Sequence, residues 1–160
     1  MNIAEKQRCR IRWMIRRDFA EALTIEQDGF GSPWVEENFI FWLRHRNCIA
    51  MVAEDEHEER IIGFMVYELF KDHLHVLNLG VAVSRRMEGV GRAMIDKLKH
   101  KLSSERRTRL VIEVNERNID GQLFLKSCGL RAIEVLPDFY GDSDDAAYLM
   151  QYRYRKEDFA

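Results

Sequence analysis

Six residues, Arg-Met-Glu-Gly-Val-Gly at positions 86–91, constrain the fold of this chain more than any other stretch. They follow an apolar run that ends at Val83 and precede an amphipathic run. A strand, a glycine-rich turn and a helix in this order leave backbone N–H groups unpaired at the helix start. Because glycine lacks a Cβ, Gly89 and Gly91 let the backbone turn sharply and approach an anion closely. The pattern predicts a phosphate-binding turn, to which Arg86 can add a cationic fork.

The spacing of these glycines excludes the two commonest nucleotide-binding motifs. The dinucleotide fingerprint G-x-G-x-x-G needs a third glycine that is absent here, and the chain contains no G-x-x-x-x-G-K-[ST] run. The motif that is present, R-x-x-G-x-G, resembles the acyl-CoA pyrophosphate loop of the GNAT superfamily of N-acetyltransferases. An ordinary strand-to-helix turn that happens to hold two glycines is the alternative, and the six residues alone leave both interpretations open.

Composition narrows the class of protein further. A length of 160 residues with 46% apolar residues predicts a single globular domain over 1–160, with a short disordered N-terminus over about 1–7. A formal net charge of −2 argues against a direct nucleic-acid partner, and no apolar run is long enough to span a membrane. The three cysteines are far apart and the N-terminus has no signal-peptide core, so we expect a cytoplasmic location.

Hydrophobic periodicity predicts an alternation of strands and helices. Seven strands are expected, over 8–15, 48–54, 60–70, 74–83, 109–115, 130–136 and 146–153. Four helices are expected, over 18–27, 33–45, 91–103 and 118–127. The second helix should start with Ser32 at the N-cap and Pro33 at N1, and the fourth should run from an Asn118 cap to Gly129. This order predicts an α/β fold with a mixed, mostly antiparallel sheet flanked by helices, and it is similar to the GNAT order of elements.

Glu113 is the candidate catalytic carboxylate. It lies near the centre of an apolar strand, where an isolated charge is costly unless it is paired or neutralised, and alternation places it on one face with Val111 and Asn115. A carboxylate in partly buried surroundings suits a general base that works near neutral pH. The residues also allow a glutamate that faces water at a strand end, or one that pairs with Arg109 or Arg131.

A second resemblance supports the catalytic interpretation. The run Glu-Val-Asn-Glu-Arg-Asn at 113–118 resembles the E-V-R-x-x-N stretch of the RimI-like ribosomal-protein-alanine N-acetyltransferases within the GNAT superfamily. The resemblance implies that Glu113 deprotonates the substrate amine and that Asn118 contacts the pantetheine arm of CoA. Leu125 departs from the family, because a tyrosine that protonates the CoA thiolate usually stands there. Tyr140 is the candidate replacement for that acid, and Cys128 is expected to be a small buried side chain.

The donor site is also implied by resemblance. Asn-Leu-Gly-Val-Ala-Val at 78–83 resembles the N-x-A-V-x-P strand that leads into the CoA loop, where backbone N–H groups hold the thioester carbonyl. The residues expected to bind the donor in this way are Leu79, Gly80 and Val81. The residues expected to border the pyrophosphate are Arg86, Met87, Glu88, Gly89, Val90, Gly91 and Arg92. Glu88 brings a negative charge into a loop that meets phosphates, at a place that is often basic or amide in related loops.

The acceptor side rests on two further stretches. Ile25-Glu26, Phe30 and Pro33-Trp34 resemble the I-E-x-x-x-F-x-x-P-W stretch that borders the peptide site of RimI-like enzymes. The resemblance implies that Glu26, Phe30 and Trp34 contact the acceptor. The closing run 139–150 resembles Y-Y-x-x-x-x-D-A-x-x-M, which places Tyr140 in the acceptor site as well. Core packing is the alternative role for Trp34.

These resemblances imply an acetyl-CoA-dependent N-acetyltransferase in which the amine attacks the thioester directly in a ternary complex. The expected acceptor is a protein or peptide amine, above all an N-terminal α-amine, with a ribosomal protein as one candidate. A small-molecule amine acetyltransferase and a weakly active or non-catalytic acyl-CoA-binding module are the alternatives. Acetyl-CoA is the expected cofactor and no metal is expected, because His73 and His75 share one side of a strand without a third ligand nearby. A monomer or a homodimer is expected.

Overall fold

The structure is a computed structural model, and it describes residues 9–159. The segment predicted to be disordered, about 1–7, lies outside this range. The strands are β1 Cys9–Trp13, β2 Cys48–Asp55, β3 Ile61–Leu69, β4 His73–Val81, β5 Arg109–Asn115, β6 Arg131–Leu136 and β7 Ala147–Arg153. The helices are α1 Phe19–Gln27, α2 Glu36–Leu43, α3 Val90–Lys99 and α4 Ile119–Ser127. Short 3₁₀ turns cover Arg16–Asp18, Val83–Arg85 and Lys156–Phe159.

The strands form a seven-stranded sheet in the order β1-β2-β3-β4-β5-β7-β6. The β1–β2, β2–β3, β5–β7 and β6–β7 pairs are antiparallel, and β4 and β5 pair in parallel. A parallel pair needs a long crossover, and α3 lies in the connection between β4 and β5. The predicted fold class, a mixed and mostly antiparallel sheet with helices, is therefore confirmed.

The chain divides into two compact units. The first comprises residues 9–68 and 78–97 of the described chain, and the second comprises 69–77 and 98–159. The core of the first unit is built by aromatic and aliphatic side chains from α2, β2, β3 and α3, among them Phe39, Val52, Ile62, Phe64, Met94 and Ile95. The core of the second unit is built on β4, β5 and the residues that follow, among them Leu74, Leu110, Leu130 and Tyr152.

The start of α2 corrects one prediction. The helix begins at Glu36, three residues later than expected, and Ser32 and Pro33 lie before it. Val35 is the extended N-cap residue, and its N–H donates to Asn38 Oδ1 at 2.8 Å. The side chain of Asn38, in the first turn of the helix, therefore binds the backbone of the N-cap residue, and Ser32 is not the cap. Acidic residues in the first turn, Glu36 and Glu37, suit the positive end of the helix dipole.

The start of α4 agrees with its prediction. Asn118 Oδ1 accepts a hydrogen bond from the Gly121 N–H at 2.9 Å, so Asn118 caps the helix. Gly129 follows the helix with φ +92°, a left-handed conformation that ends it. Leu125 and Cys128 are almost fully buried, and Cys128 is the small buried side chain that was expected.

Candidate active site

In the first unit, the glycine turn follows β4 and a short 3₁₀ turn, Val83–Arg85. Met87 has φ +66° and Gly89 has φ +88°, so two residues of the turn adopt the left-handed conformation. A Cβ added to Gly89 would meet nothing within 4 Å, so the backbone conformation, and not a lack of space, requires the glycine. Helix α3 then begins at Val90, and the Ala93 N–H donates to the Gly89 carbonyl at 2.9 Å. The turn thus presents the start of a helix, where an anion is favoured.

Arg86 holds the glycine turn to neighbouring backbone. Its Nε donates to the Val81 carbonyl at 3.2 Å and its Nη2 donates to the Asp28 carbonyl at 3.3 Å. These contacts tie the turn to the end of β4 and to the residue that follows α1. A guanidinium has five N–H donors, so these two bonds leave donors for an anion. The expected contact between Arg86 and a phosphate stays a prediction.

Glu88, the negative residue of the turn, has a cationic partner that the sequence analysis missed. Arg85 Nε donates to Glu88 Oε2 at 2.5 Å, and Arg85 Nη1 donates to Asp55 Oδ2 at 2.6 Å. Hydrogen bonds to Glu88 and to Asp55 raise the pKa of Arg85. The spacing of Arg85 and Glu88 was visible in the sequence, whereas the contact with Asp55 depends on the fold.

Gly80 has a packing reason to be glycine. A Cβ at this position would lie 2.6 Å from the Phe64 ring and 3.2 Å from Ile25 Cγ2. Phe64 is fully buried and packs edge-to-face on Phe39, with 5.4 Å between the two ring centroids, a spacing that is ordinary for aromatic pairs. The expected contact of the Leu79 to Val81 backbone with a thioester carbonyl stays a prediction.

Glu26 lies in the last turn of α1, and Asn78 of β4 donates its side-chain N–H to Glu26 Oε2. Burial raises the pKa of Glu26 to about 7, against the opposing effect of the hydrogen bond from Asn78. Phe30 is exposed, and Trp34 packs edge-to-face on the buried Phe39 at 5.2 Å. Trp34 therefore has the core contact that was its alternative role. The acceptor contacts of Glu26, Phe30 and Trp34 stay predictions.

In the second unit, Glu113 is paired with a histidine. His75 Nε2 lies 2.8 Å from Glu113 Oε1 and 2.7 Å from Oε2, and the glutamate side chain is only 15% exposed. The alternative pairing with Arg109 is wrong, because the Arg109 guanidinium donates to Asp72 at 3.2 Å. Glu113 thus makes a polar contact within the sheet and does not face water at a strand end.

His75 is the second residue that the sequence analysis missed, since it was weighed only as a metal ligand. It faces Val111 across the parallel β4–β5 pair, and Glu113 is two residues further along the same face of β5. The alternation of side chains within each strand could be read from the sequence. The register between β4 and β5, which brings together two residues 38 positions apart, could not. The ring of Phe70 lies 6.4 Å from the His75 ring, centroid to centroid.

Tyr140 precedes β7 in the second unit and is half-buried, with the Phe139 ring edge-to-face at 5.0 Å. Burial and the nearby negative charges of Glu113 and Asp145 raise the pKa of Tyr140 to about 12. The phenol therefore keeps its proton throughout the neutral and mildly alkaline range. Leu125 is 3% exposed, and its apolar side chain has no proton to donate.

Among residues 9–159, no group of three or more His, Cys, Asp or Glu side chains is arranged to hold a metal ion. His73 Nδ1 instead lies 2.6 Å from Asp72 Oδ1. Within the same range, no helix has both the length and the apolar character that crossing a bilayer requires.

Comparison with known proteins identifies the class first: the chain is an acetyltransferase. The sequence profile of the Acetyltransferase (GNAT) family matches residues 11–130, so the chain belongs to the GNAT family. An uncharacterized N-acetyltransferase of Methanocaldococcus jannaschii is 24% identical over 143 residues, which cover 88% of this chain and 90% of that protein.

Solved structures of similar fold agree with this assignment. Ard1 from Thermoplasma volcanium superposes with a TM-score of 0.81 at 22% identity, covering 93% of this chain and 99% of that one. The ribosomal-protein-S18-alanine N-acetyltransferase from Escherichia coli gives 0.75 at 20% identity, with 91% and 94% covered. A nourseothricin acetyltransferase gives 0.72 at 20% identity, with 93% and 100% covered. At these identities the likeness concerns the fold, which serves acceptors of different kinds.

Proposed function

We propose that this GNAT enzyme transfers an acetyl group from acetyl-CoA to the N-terminal α-amine of a protein or peptide. The observation that carries the proposal is Glu113, a part-buried carboxylate in the centre of β5 with a fixed histidine partner. A carboxylate held in this way can accept a proton from an amine. Similar folds include an enzyme that is named for acetylating the alanine of a ribosomal protein, which makes a protein N-terminus the first acceptor to test.

The donor would bind through the glycine turn of the first unit. The N–H groups at the start of α3 and the donors of Arg86 suit the pyrophosphate, because both offer hydrogen bonds and positive charge to an anion. The backbone from Leu79 to Val81 would hold the thioester carbonyl and stabilise the oxyanion that forms on it. Asn118, whose Oδ1 caps α4, would contact the pantetheine arm.

The chemical step would be a direct displacement. Glu113 takes a proton from the ammonium group, and the free amine nitrogen attacks the thioester carbon. The nitrogen then releases its second proton to water, and the carbon–sulfur bond breaks as the thiolate leaves. Tyr140 supplies a proton to the thiolate and regains one from water; its raised pKa, about 12, means that the phenol carries this proton at neutral pH. Tyr140 would thus perform the acid role that the buried Leu125 has lost.

The base favours an α-amine over a lysine side chain. An α-amino group has a pKa of about 7.7–8.0 and a lysine of about 10.4, so a carboxylate removes a proton more readily from the former. Glu26 would add to acceptor binding, because a carboxylate beside Asn78 can receive an ammonium group. Phe30 and Trp34 would border the peptide.

The first prediction tests the base. Glu113→Gln keeps the size of the side chain and removes its proton affinity, so we expect kcat for an alanine-starting peptide to fall by about 10²-fold or more. Mass spectrometry of the peptide measures the transfer, and calorimetry with CoA checks that donor binding persists. Glu105→Gln in an exposed loop is the matched control and should keep full activity. Undiminished turnover in folded Glu113→Gln enzyme would refute the base assignment.

A small-molecule amine is the second candidate acceptor, since a nourseothricin acetyltransferase has a similar fold. A panel of alanine-, serine- and methionine-starting peptides, polyamines and aminoglycosides separates the two. Efficient transfer only to small amines would replace the peptide proposal. Tight CoA binding with no transfer to any amine would instead support a non-catalytic acyl-CoA-binding module.

A further inference from the structure

The glycine turn, residues 86–91, combines a backbone that suits an anion with a negatively charged side chain. Its backbone suits an anion, yet Glu88 adds a carboxylate between the two left-handed residues, Met87 and Gly89. A bound pyrophosphate diester carries two negative charges, and like charges at close range repel. An uncompensated glutamate at this place would therefore weaken donor binding.

The structure places a cation directly on this carboxylate. Arg85 Nε lies 2.5 Å from Glu88 Oε2, and the two side chains are 23% and 28% exposed, so the pair is partly shielded from water. Charge-assisted hydrogen bonds of this kind are short and about twice as strong as neutral ones. The carboxylate of Glu88 is thereby paired with a cation from the residue that directly precedes the turn.

Arg85 is fixed from its other side by a preformed acceptor. Its Nη1 donates to Asp55 Oδ2 at 2.6 Å, and the Asp55 side chain is 7% exposed. Asp55 Oδ1 already accepts the N–H groups of His57 and Glu58 at 2.7 and 2.9 Å in the turn between β2 and β3. Hydrogen bonds from these N–H groups and from Arg85 hold the pKa of Asp55 at about 2, against the effect of burial. The guanidinium of Arg85 is therefore held in place before acyl-CoA binds.

We propose that Arg85 is a positioning residue for acyl-CoA binding: anchored on Asp55, it compensates the charge of Glu88 and so lets the glycine turn accept the pyrophosphate. This inference rests on the proposed function. It differs from a direct contact between Arg85 and phosphate, because it makes Arg85 necessary only while residue 88 is charged. Arg85 and Glu88 form one unit, and the two should be replaceable together.

A double-mutant cycle tests the inference. The dissociation constant of CoA is measured by calorimetry for the wild type, Arg85→Met, Glu88→Gln and the double variant. We expect Arg85→Met to weaken CoA binding about tenfold, or ~1.4 kcal/mol, and Glu88→Gln to change it by less than about threefold. The double variant should bind CoA within about threefold of the wild type, because residue 88 then carries no charge to be compensated, and Asp55 keeps its hydrogen bonds from the His57 and Glu58 N–H groups.

Four controls make the cycle specific. Arg10→Met removes one positive charge from an exposed pair with Glu54 and should leave CoA binding unchanged. Salt at 1 M shortens the screening length to about 3 Å, so the loss in Arg85→Met should shrink. The loss should persist with 3′-dephospho-CoA, which retains the pyrophosphate. Thermal unfolding of each variant verifies that the fold is intact.

The outcomes separate the inference from the proposed function. If the wild type does not bind CoA, both are overturned. If the wild type binds CoA but the double variant is as weak as Arg85→Met, Arg85 contacts the donor directly or only braces the fold, and the inference is overturned alone. Loss of the effect with 3′-dephospho-CoA would assign Arg85 to the 3′-phosphate and would also overturn it.

Discussion

At the scale of single residues, three glutamates show how the partner of a carboxylate decides what it can do. Glu88 contacts a guanidinium, Glu113 contacts an imidazole, and Glu26 contacts the neutral amide of Asn78. A cationic partner favours the charged carboxylate, whereas burial without one favours the neutral acid. Burial accordingly raises the pKa of Glu26 to about 7. With this value, the charge of Glu26 would change near physiological pH.

Tyr140 carries the second prediction. Tyr140→Phe removes the hydroxyl proposed to protonate the thiolate, so we expect kcat to fall by roughly 10²-fold while acetyl-CoA affinity stays within a few-fold. Because the pKa of Tyr140 is about 12, deprotonation of this phenol should not reduce kcat of the wild type between pH 8 and 10. Steady-state kinetics across this range measure both effects. Tyr148→Phe, a hydroxyl loss on β7, is the control, and equal kcat in the Tyr140→Phe and wild-type enzymes would remove Tyr140 from the mechanism.

What the sequence could predict about single residues depended on how far away their partners lie. Asn118 was predicted as a cap because its partner, Gly121, is three residues away. His75 was missed because its partner, Glu113, is 38 residues away and is brought close by strand register. The roles of residues in donor and acceptor binding came from family resemblance, since periodicity carries no information about a ligand.

At the scale of elements, the strands were easier to predict than the helix ends. β5 spans the predicted Arg109–Asn115, because its run from Leu110 to Val114, apolar except for Glu113, has clear polar limits. α3 ends at Lys99 although apolar spacing continued to Leu102, which is buried after the helix. The N–H groups of Lys101 and Leu102 bond to carbonyls three residues back, so the last turn tightens and the helix stops. Apolar spacing therefore marks the buried side but not the end of a helix.

The third prediction concerns how β1 is held. Arg12 donates to both carboxylate oxygens of Asp18, at 2.8 and 3.0 Å, and to Glu54 of β2 at 2.8 Å. Asp18 is 3% exposed; burial opposes its ionisation, but hydrogen bonds from Arg12 and the Ile15 N–H keep the pKa of its carboxyl below the usual value. Arg12→Met leaves this carboxylate buried without its cation, so we expect a loss of about 3 kcal/mol in unfolding free energy.

Urea denaturation measures this loss in unfolding free energy, and two further variants serve as a rescue and a control. Arg12→Met combined with Asp18→Asn should recover part of the stability, because a neutral amide can still accept the Ile15 N–H. Arg10→Met removes an exposed pair with Glu54 and should cost less than about 1 kcal/mol. If Arg12→Met costs no more than Arg10→Met, the network around Asp18 does not hold the N-terminal strand.

At the scale of the whole molecule, the buried carboxyl groups affect the pH dependence of stability in opposite directions. Asp18 and Asp55 have lowered pKa values, so their stabilisation is present above the ordinary aspartate value of 3.8 and is lost as pH falls below it, through about 2 in the case of Asp55. Glu26 has a raised pKa, so its contribution is complete below its ordinary value of 4.5 and is lost as pH rises through about 7. These three groups together favour greatest stability in acidic solution, at about pH 4 to 4.5.

Glu26→Gln tests this balance and is the last prediction. From pH 5 to pH 8, ionisation of Glu26 should lower the unfolding free energy of the wild type by roughly 1–2 kcal/mol, after allowance for its partial exposure. The glutamine variant cannot ionise, so its stability relative to the wild type should rise by that amount over the same interval. Urea denaturation at pH 5, 6, 7 and 8 measures the difference, with Glu105→Gln as a control that should follow the wild type. A Glu26→Gln curve parallel to the wild-type curve would show that Glu26 is already ionised at pH 5, and Asn78 would then be sufficient to stabilise a buried carboxylate.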